Sequence, residues 1–421
     1  MKKIAFIVQR YGVEVNGGAE YHCRVVAEKL NGLFDVEVLT SCAQDYMSWA
    51  NAYTPGSELI NGVKVKRFEV EHPRDMDRFK RAGRRLRQRK RKLHQKLLHF
   101  FGQLENFEKM AKIPSRAQNE MSWIEEQGPY LPQLIGFLNT NHDKYDALIF
   151  FTYLYYPTAV GISVAPQKSI LIPTAHDEPP IYLNFFKSFF LQPKAILYNT
   201  QSEKRFVNSL FNNSGIYSDI VGVGIDLPPL IPNNFADELI KQADNFIIYI
   251  GRIEVAKACD DLMQRFVKFK KDTNNNVKLV FVGQAFMPIT QHPSIIYTGF
   301  VDEDVKFNLL KNARALIIPS VLESLSLVTL ESMAYGVPVI ANEQCAVIRD
   351  HIDKSGAGFL YTDQETFNSA IEKAFSADTD IEALSAKAKA YVAENYTWEK
   401  VLQKFDNAIN YVTGHFSSST S

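Results

Sequence analysis

Two carboxylates eight positions apart, Glu323 and Glu331, stand in the run Ile-Pro-Ser-Val-Leu-Glu-Ser-Leu-Ser-Leu-Val-Thr-Leu-Glu-Ser-Met-Ala-Tyr-Gly-Val-Pro-Val-Ile over residues 318–340. The pattern predicts a strand ending near Pro319, a polar turn carrying Glu323, a helix opening near Ser326 that contains Glu331, a stop at Gly336 and a new strand from Val337. Such a helix leaves the amides of Ser326, Leu327 and Val328 without intrahelical partners. With the positive end of the helix dipole, they form a seat for an anion such as a diphosphate. Carboxylates beside bound phosphate are costly unless they accept hydrogen bonds from hydroxyls, so sugar and ribose hydroxyls are their natural partners. Two solvated glutamates on a loop and a helix would satisfy the same spacing.

A second segment, Phe-Ile-Ile-Tyr-Ile-Gly-Arg-Ile-Glu-Val-Ala-Lys over residues 246–257, reads as a buried strand, a glycine, then Arg252 and Lys257 in the following loop. In open α/β sheets ligands sit beyond the carboxyl ends of the strands, which takes both cations toward the helix opening near Ser326. A fork donor and a point charge suit a diphosphate leaving group.

Together these motifs resemble the retaining glycosyltransferases of the GT-B fold, in the large group with an Arg/Lys pair after the first strand of the C-terminal domain and a Glu-x7-Glu pair later. The resemblance spans nearly the whole chain. It implies an α/β fold of two Rossmann-like domains facing a central cleft, a nucleotide-diphosphate sugar as co-substrate, and no metal or other cofactor. By position, Arg252 and Lys257 would neutralise the diphosphate, Glu323 would meet hydroxyls of the transferred sugar, and Glu331 the ribose. Phe300 and Val301, after Gly299, match a loop that touches the base. The family often has glycine where Ser324, Ser326 and Ala258 stand, and serine still leaves the backbone amides available. The reaction implied is hexose transfer to a glycan or lipid-linked acceptor in polysaccharide or glycoconjugate synthesis. A sugar-nucleotide epimerase or hydrolase, or a non-catalytic sugar-nucleotide-binding scaffold, would use the same donor site.

On the acceptor side, Asn16-Gly17-Gly18-Ala19-Glu20 joins the first strand to the first helix. Glycines there allow close backbone approach to a ligand, or simply a tight turn. His176, in Thr-Ala-His-Asp-Glu, follows a buried strand and matches the family's histidine at the edge of the sugar site. It would be a positioning group, with Asp177 or Glu178 fixing its tautomer. Four phenylalanines, Phe185, Phe186, Phe189 and Phe190, crowd one short helical stretch, and two adjacent pairs are expected to leave some rings facing an acceptor or lipid.

From Arg74 to Lys96 lie twelve Lys and Arg against Asp75 and Asp77. Met76, Phe79, Leu86, Leu93, Leu97 and Phe100 recur at helical intervals, so an insertion over about 74–101 reads as a basic amphipathic helix suited to an anionic membrane surface or a lipid-diphosphate acceptor, or as a solvated insertion. The run lacks interleaved stacking aromatics, and 47 basic residues balance 47 acidic ones, so nucleic acid is not an expected partner.

With 421 residues, 46% of them hydrophobic, the chain is long enough for two domains. Strands alternating with helices imply parallel sheets. The expected division is an acceptor-side domain over 1–227, a nucleotide-sugar domain over 228–395, and a C-terminal helix returning to the first domain over 396–421. Cys23, Cys42, Cys259 and Cys345 show no metal or redox spacing, which fits a reduced, cytoplasmic setting. The apolar start, ending at Gln9 and Arg10, reads as a first strand rather than a signal peptide. The uncharged stretch at 147–167 reads as strand, loop and short helix rather than a membrane span.

Overall fold

The computed structural model describes residues 1–15, 17–86, 114–273 and 275–414. It divides into two compact units. The first comprises residues 1–198, 204–221 and 404–421, and the second residues 199–203 and 222–403. The last helix, Trp398–Val412, starts in the second unit and ends in the first.

The first unit is built on an eight-stranded sheet: β1 (Lys3–Ile7), β2 (Asp35–Ser41), β3 (Gly56–Ile60), β4 (Val63–Phe68), β5 (Ala147–Phe151), β6 (Ser169–Ile172), β7 (Ala195–Tyr198) and β8 (Tyr217–Ile220), in the order β3-β4-β2-β1-β5-β6-β7-β8. All pairings are parallel except that of β3 with β4. The central strands β1 and β5 are apolar and almost wholly buried, as a sheet covered on both faces requires. The helix Gly18–Leu30 buries Cys23, Val26, Ala27 and Leu30 along one stripe, with Glu20 and His22 also withdrawn from solvent. The stretch at 147–167 contains β5 and the short helix Tyr156–Gly161. Among the described residues no helix is long and apolar enough to cross a membrane.

The second unit holds a six-stranded, all-parallel sheet: β9 (Phe246–Ile250), β10 (Lys278–Val282), β11 (Ile295–Tyr297), β12 (Ala315–Ile318), β13 (Val339–Asn342) and β14 (Gly358–Tyr361), ordered β11-β10-β9-β12-β13-β14. One layer of its core joins Ile247, Tyr249, Leu279, Phe281, Ile317 and Ile340 to Leu262, Met263, Phe266 and Phe367 on the covering helices. At the carboxyl edge the loops after neighbouring strands are bonded together. Gly251 donates to Val282 O, Gly283 to Gly299 O and Ile253 to Gln284 O. Gly283 has φ 141, and a Cβ there would lie 2.0 Å from Gly251 O. The turn after β10 therefore requires glycine.

One expectation is overturned in the first unit. Phe186, Phe189 and Phe190 are each 0% exposed, and Phe185 packs on the same core. The helix Asn184–Phe189 is short enough that Phe190, at its C-cap, leaves the helical face and stacks on Phe211 at 4.3 Å between ring centroids. No phenylalanine wall faces an acceptor or a lipid here.

Gly283→Ala is expected to lower the unfolding free energy by about 2 kcal/mol or more, because both the backbone approach and the positive φ resist a side chain. Gly136→Ala, in the exposed interior of the helix Pro132–Asn141 with nothing within 4 Å, should raise it by about 0.5–1 kcal/mol. Denaturant melts of the two variants check both signs.

Candidate functional site

At the carboxyl edge of the second unit's sheet, the chain leaves β9 through Gly251, and the buried Tyr249 hydroxyl donates to Arg252 O at 2.8 Å, anchoring the loop from beneath. Lys257 ends a single 3-10 turn, and Ala258 follows with φ 54. The Lys257 ammonium lies 2.7 Å from Glu323 Oε1, with the two side chains 29% and 16% exposed. The fold thus brings together two residues that are 66 positions apart. Arg252 pairs with Glu254 at 3.0 Å on a more exposed part of the same loop.

The helix after β12 runs from Leu327 to Tyr335 and stops at Gly336, as the sequence predicts. Ser326 precedes it in a left-handed conformation, φ 59, and its hydroxyl bonds that of Thr329 at 2.8 Å. The first helical bonds come from Thr329 and Leu330 to Ser326 O, so the amides of Ser326, Leu327 and Val328 precede the first bonded turn. Glu331 stands on this helix, largely withdrawn from solvent, and meets Lys306 at 3.3 Å. Burial pushes its pKa up, while Lys306 pulls it down. In the loop after β11, Phe300 is 72% exposed and Val301 partly so.

In the first unit the turn after β1 is tied down by charges that sequence reasoning left without a role. Glu20 Oε1 accepts from Arg10 Nε at 3.0 Å and from Gln9 Nε2 at 2.9 Å, and Arg10 also donates to Gln44 O at 2.8 Å. Arg10 and Glu20 are both buried. A Cβ at Gly17 would lie 2.1 Å from Glu20 Oε2, so a side chain there would displace that oxygen of the carboxylate. The signal was present as an acid two residues past a glycine pair and a cation just past a strand.

His176 follows β6, and its Nε2 lies 3.6 Å from Glu178 Oε2, while Glu178 Oε1 accepts from Tyr153 OH at 2.8 Å. Asp177 is engaged elsewhere, accepting from Tyr182 OH at 2.6 Å. Within the basic segment, the helix Met76–Leu86 packs Phe79, Ala82 and Leu86 on the first unit's core. Arg74 lies over Trp49 and Phe79, and Arg78 pairs with Glu126 at 3.5 Å. Lys80, Arg81, Arg84 and Arg85 are exposed. The rest of the predicted basic helix, from residue 87 on, lies outside the described residues, as does Asn16. Among the described residues no three His, Cys, Asp or Glu are grouped to hold a metal ion.

Comparison with known proteins bears on what this arrangement does. Residues 231–391 match the family described as "Glycosyl transferases group 1". Over 438 aligned residues the chain is 22% identical to an uncharacterized glycosyltransferase of Methanocaldococcus jannaschii, covering 96% of this chain and 97% of the other. A sucrose-phosphate synthase of Thermosynechococcus elongatus superposes with a TM-score of 0.66 at 15% identity, covering 99% of this chain and 100% of that one. An E. coli structure described as trehalose-6-phosphate bound with UDP-2-fluoro glucose superposes with a TM-score of 0.68 at 9% identity, covering 97% and 99%. These superpositions establish the GT-B architecture of two Rossmann-like units.

Two outcomes follow. Glu20→Ala leaves Arg10 buried without its carboxylate and should cost about 3 kcal/mol or more, whereas Arg10→Met with Glu20→Leu should recover part of that loss in thermal melts. The buried His351 of the helix Ala346–Ser355 has its pKa lowered to about 4 by desolvation. Between pH 6.5 and about 4 the unfolded chain takes up a proton there that the folded one refuses. Stability should therefore fall with acidification across that window, by about 3 kcal/mol at most, and His351→Gln should lack this component.

Proposed function

We propose that this glycosyltransferase, with a group 1 domain as its second unit, is a retaining hexosyltransferase that moves a hexose from a UDP- or GDP-linked sugar to a glycan or lipid-linked acceptor. The observation that carries the reading is the Lys257–Glu323 pair beside the helix opening at Leu327, at the carboxyl edge of a parallel sheet. The pairing is one that a donor would exchange. The diphosphate would take Lys257 and Arg252, with the amides of Ser326, Leu327 and Val328, and Glu323 would turn to the sugar hydroxyls. Glu331 would accept from the ribose, and Phe300, exposed beside Gly299, would meet the base. The UDP sugar in the E. coli structure supports a donor of this kind.

Transfer with retention would proceed by attack on the face the leaving diphosphate vacates. The acceptor hydroxyl would lose its proton toward a departing phosphate oxygen, and Arg252 and Lys257 would hold the developing charge without a metal. Gly17 and Gly18 would line the sugar phosphate or acceptor, and His176, oriented through Glu178, would position the sugar. The exposed cations Lys80, Arg81, Arg84 and Arg85 support a peripheral attachment to the anionic inner face of the cell membrane from the cytoplasm.

Thermal-shift screening with UDP, GDP and their sugars should single out one nucleotide class. With that donor, Lys257→Ala and Glu323→Ala should each abolish transfer to an added acceptor while leaving the fold intact. Near-wild-type turnover in either variant would remove the assignments, and acceptor-independent conversion of the donor would favour an epimerase or hydrolase.

A further inference from the structure

Behind the loop that carries Glu323 and Ser326 lies a chain of polar groups with no surface to serve. His351 is 1% exposed, and its two ring nitrogens are both engaged. Nε2 lies 3.0 Å from Leu325 O, and Nδ1 lies 2.9 Å from Tyr391 OH. A carbonyl oxygen only accepts, so Nε2 carries the proton. In the neutral ring Nδ1 must then accept, and the Tyr391 hydroxyl donates to it. With that proton committed, the Tyr391 oxygen takes the weaker 3.4 Å bond from Tyr396 OH. Every hydrogen in the chain thus runs one way, toward Leu325.

Tyr396 is itself clamped. Its carbonyl accepts from Ile225 N at 2.9 Å, and a Cβ at Gly222, whose φ is 58, would lie 2.7 Å from its ring. The segment at 222–225 that enters the second unit is therefore seated on the residue that begins the polar chain. Leu325 stands directly before Ser326, whose left-handed conformation aims the amides of residues 326–328. A carbonyl held at that point fixes the peptide plane whose other end is the Ser326 N–H.

We propose that His351, oriented by Tyr391 and Tyr396, is the positioning residue that sets the anion seat at residues 326–328. The proposal rests on the reading of that seat as the donor diphosphate site. A purely structural histidine would need only to fill its space. Here, a hydrogen-bond donor at the Nε2 position holds the carbonyl that directly precedes Ser326.

The test compares His351→Phe, which keeps the ring and loses the donor, with His351→Gln, whose amide nitrogen can reach the same carbonyl. Hydrogen exchange of peptides covering residues 323–330 is read in the ligand-free protein, and affinity is titrated with UDP and GDP. His351→Phe should speed exchange at these amides and weaken nucleoside diphosphate binding about tenfold, while His351→Gln restores most of both. Unchanged exchange in His351→Phe overturns the proposal whatever the ligand does, as does an exchange rate in His351→Gln no better than in His351→Phe. Faster exchange together with a wild-type protein that binds neither nucleotide supports the positioning of the loop and overturns the donor-site reading alone. Where His351→Phe fails to fold, Tyr391→Phe, which frees Nδ1 and the ring's orientation, is read by the same exchange, and no change in it overturns the proposal.

Discussion

A parallel strand order decides where chemistry can occur in this chain. Every pairing in the second unit's sheet is parallel, so all of its strands end on one edge. The helix that follows β12 starts at that edge and presents its amides there. Arg252, Lys257, Phe300, Glu323 and Ser326 all lie on loops at that edge because each follows a strand end, and Lys257 and Glu323 meet there. Their separation in sequence is taken up by the helices, strands and loops that run between those ends. The close approach of Gly283 to Gly251 O shows how tightly neighbouring loops at this edge are drawn together.

That edge gathers charge, and the charges are balanced within the fold. Lys257 meets Glu323, Lys306 meets Glu331 and Arg252 meets Glu254. A half-buried ion pair gives little net stability, because desolvation offsets most of the attraction. Such a pair can therefore be exchanged for another at small net cost. On the proposed reading, a diphosphate that takes Lys257 would release a carboxylate, which would then accept from hydroxyls instead of a cation. In the first unit, Arg10 and Glu20 are buried and bonded to Gln9 and Gln44 O, and the carboxylate packs against Gly17. That arrangement fixes a turn rather than offering an exchangeable charge.

Much of the sheet architecture was legible in the sequence because buried parallel strands read as continuous apolar runs, as at residues 147–151 and 246–249. Helix starts were legible where the polar turn and the apolar spacing agreed, as at Leu327. The exposed edge strand β3 lacked both signals. Its residues Gly-Ser-Glu-Leu-Ile face solvent without alternation, and only Asn61-Gly62, with φ 48 and 82 in the hairpin to β4, marked it. The partners of the site residues were not legible, since Lys257–Glu323, Lys306–Glu331 and His351–Leu325 O are made by tertiary packing across strand ends. The phenylalanine cluster misled for a related reason. Helical periodicity assigns faces only while the helix lasts, and this one ends before Phe190.

The departures from glycine at positions 258 and 326 acquire a physical meaning from the backbone. Ala258 and Ser326 both adopt left-handed conformations, φ 54 and 59, which cost a side-chain-bearing residue about 1 kcal/mol each relative to glycine. Glycine there would remove that strain and also let the loop sample many other conformations. Local bonds hold the strained forms in place. Ala258 N donates to Val255 O and Leu262 N to Ala258 O, and the Ser326 hydroxyl bonds Thr329 while His351 grips the preceding carbonyl. A loop so held has already lost the freedom that binding would otherwise remove. On the proposed reading its amides would meet an anion with less ordering still to be done, so a more preorganised seat would offset the strain of the side chains.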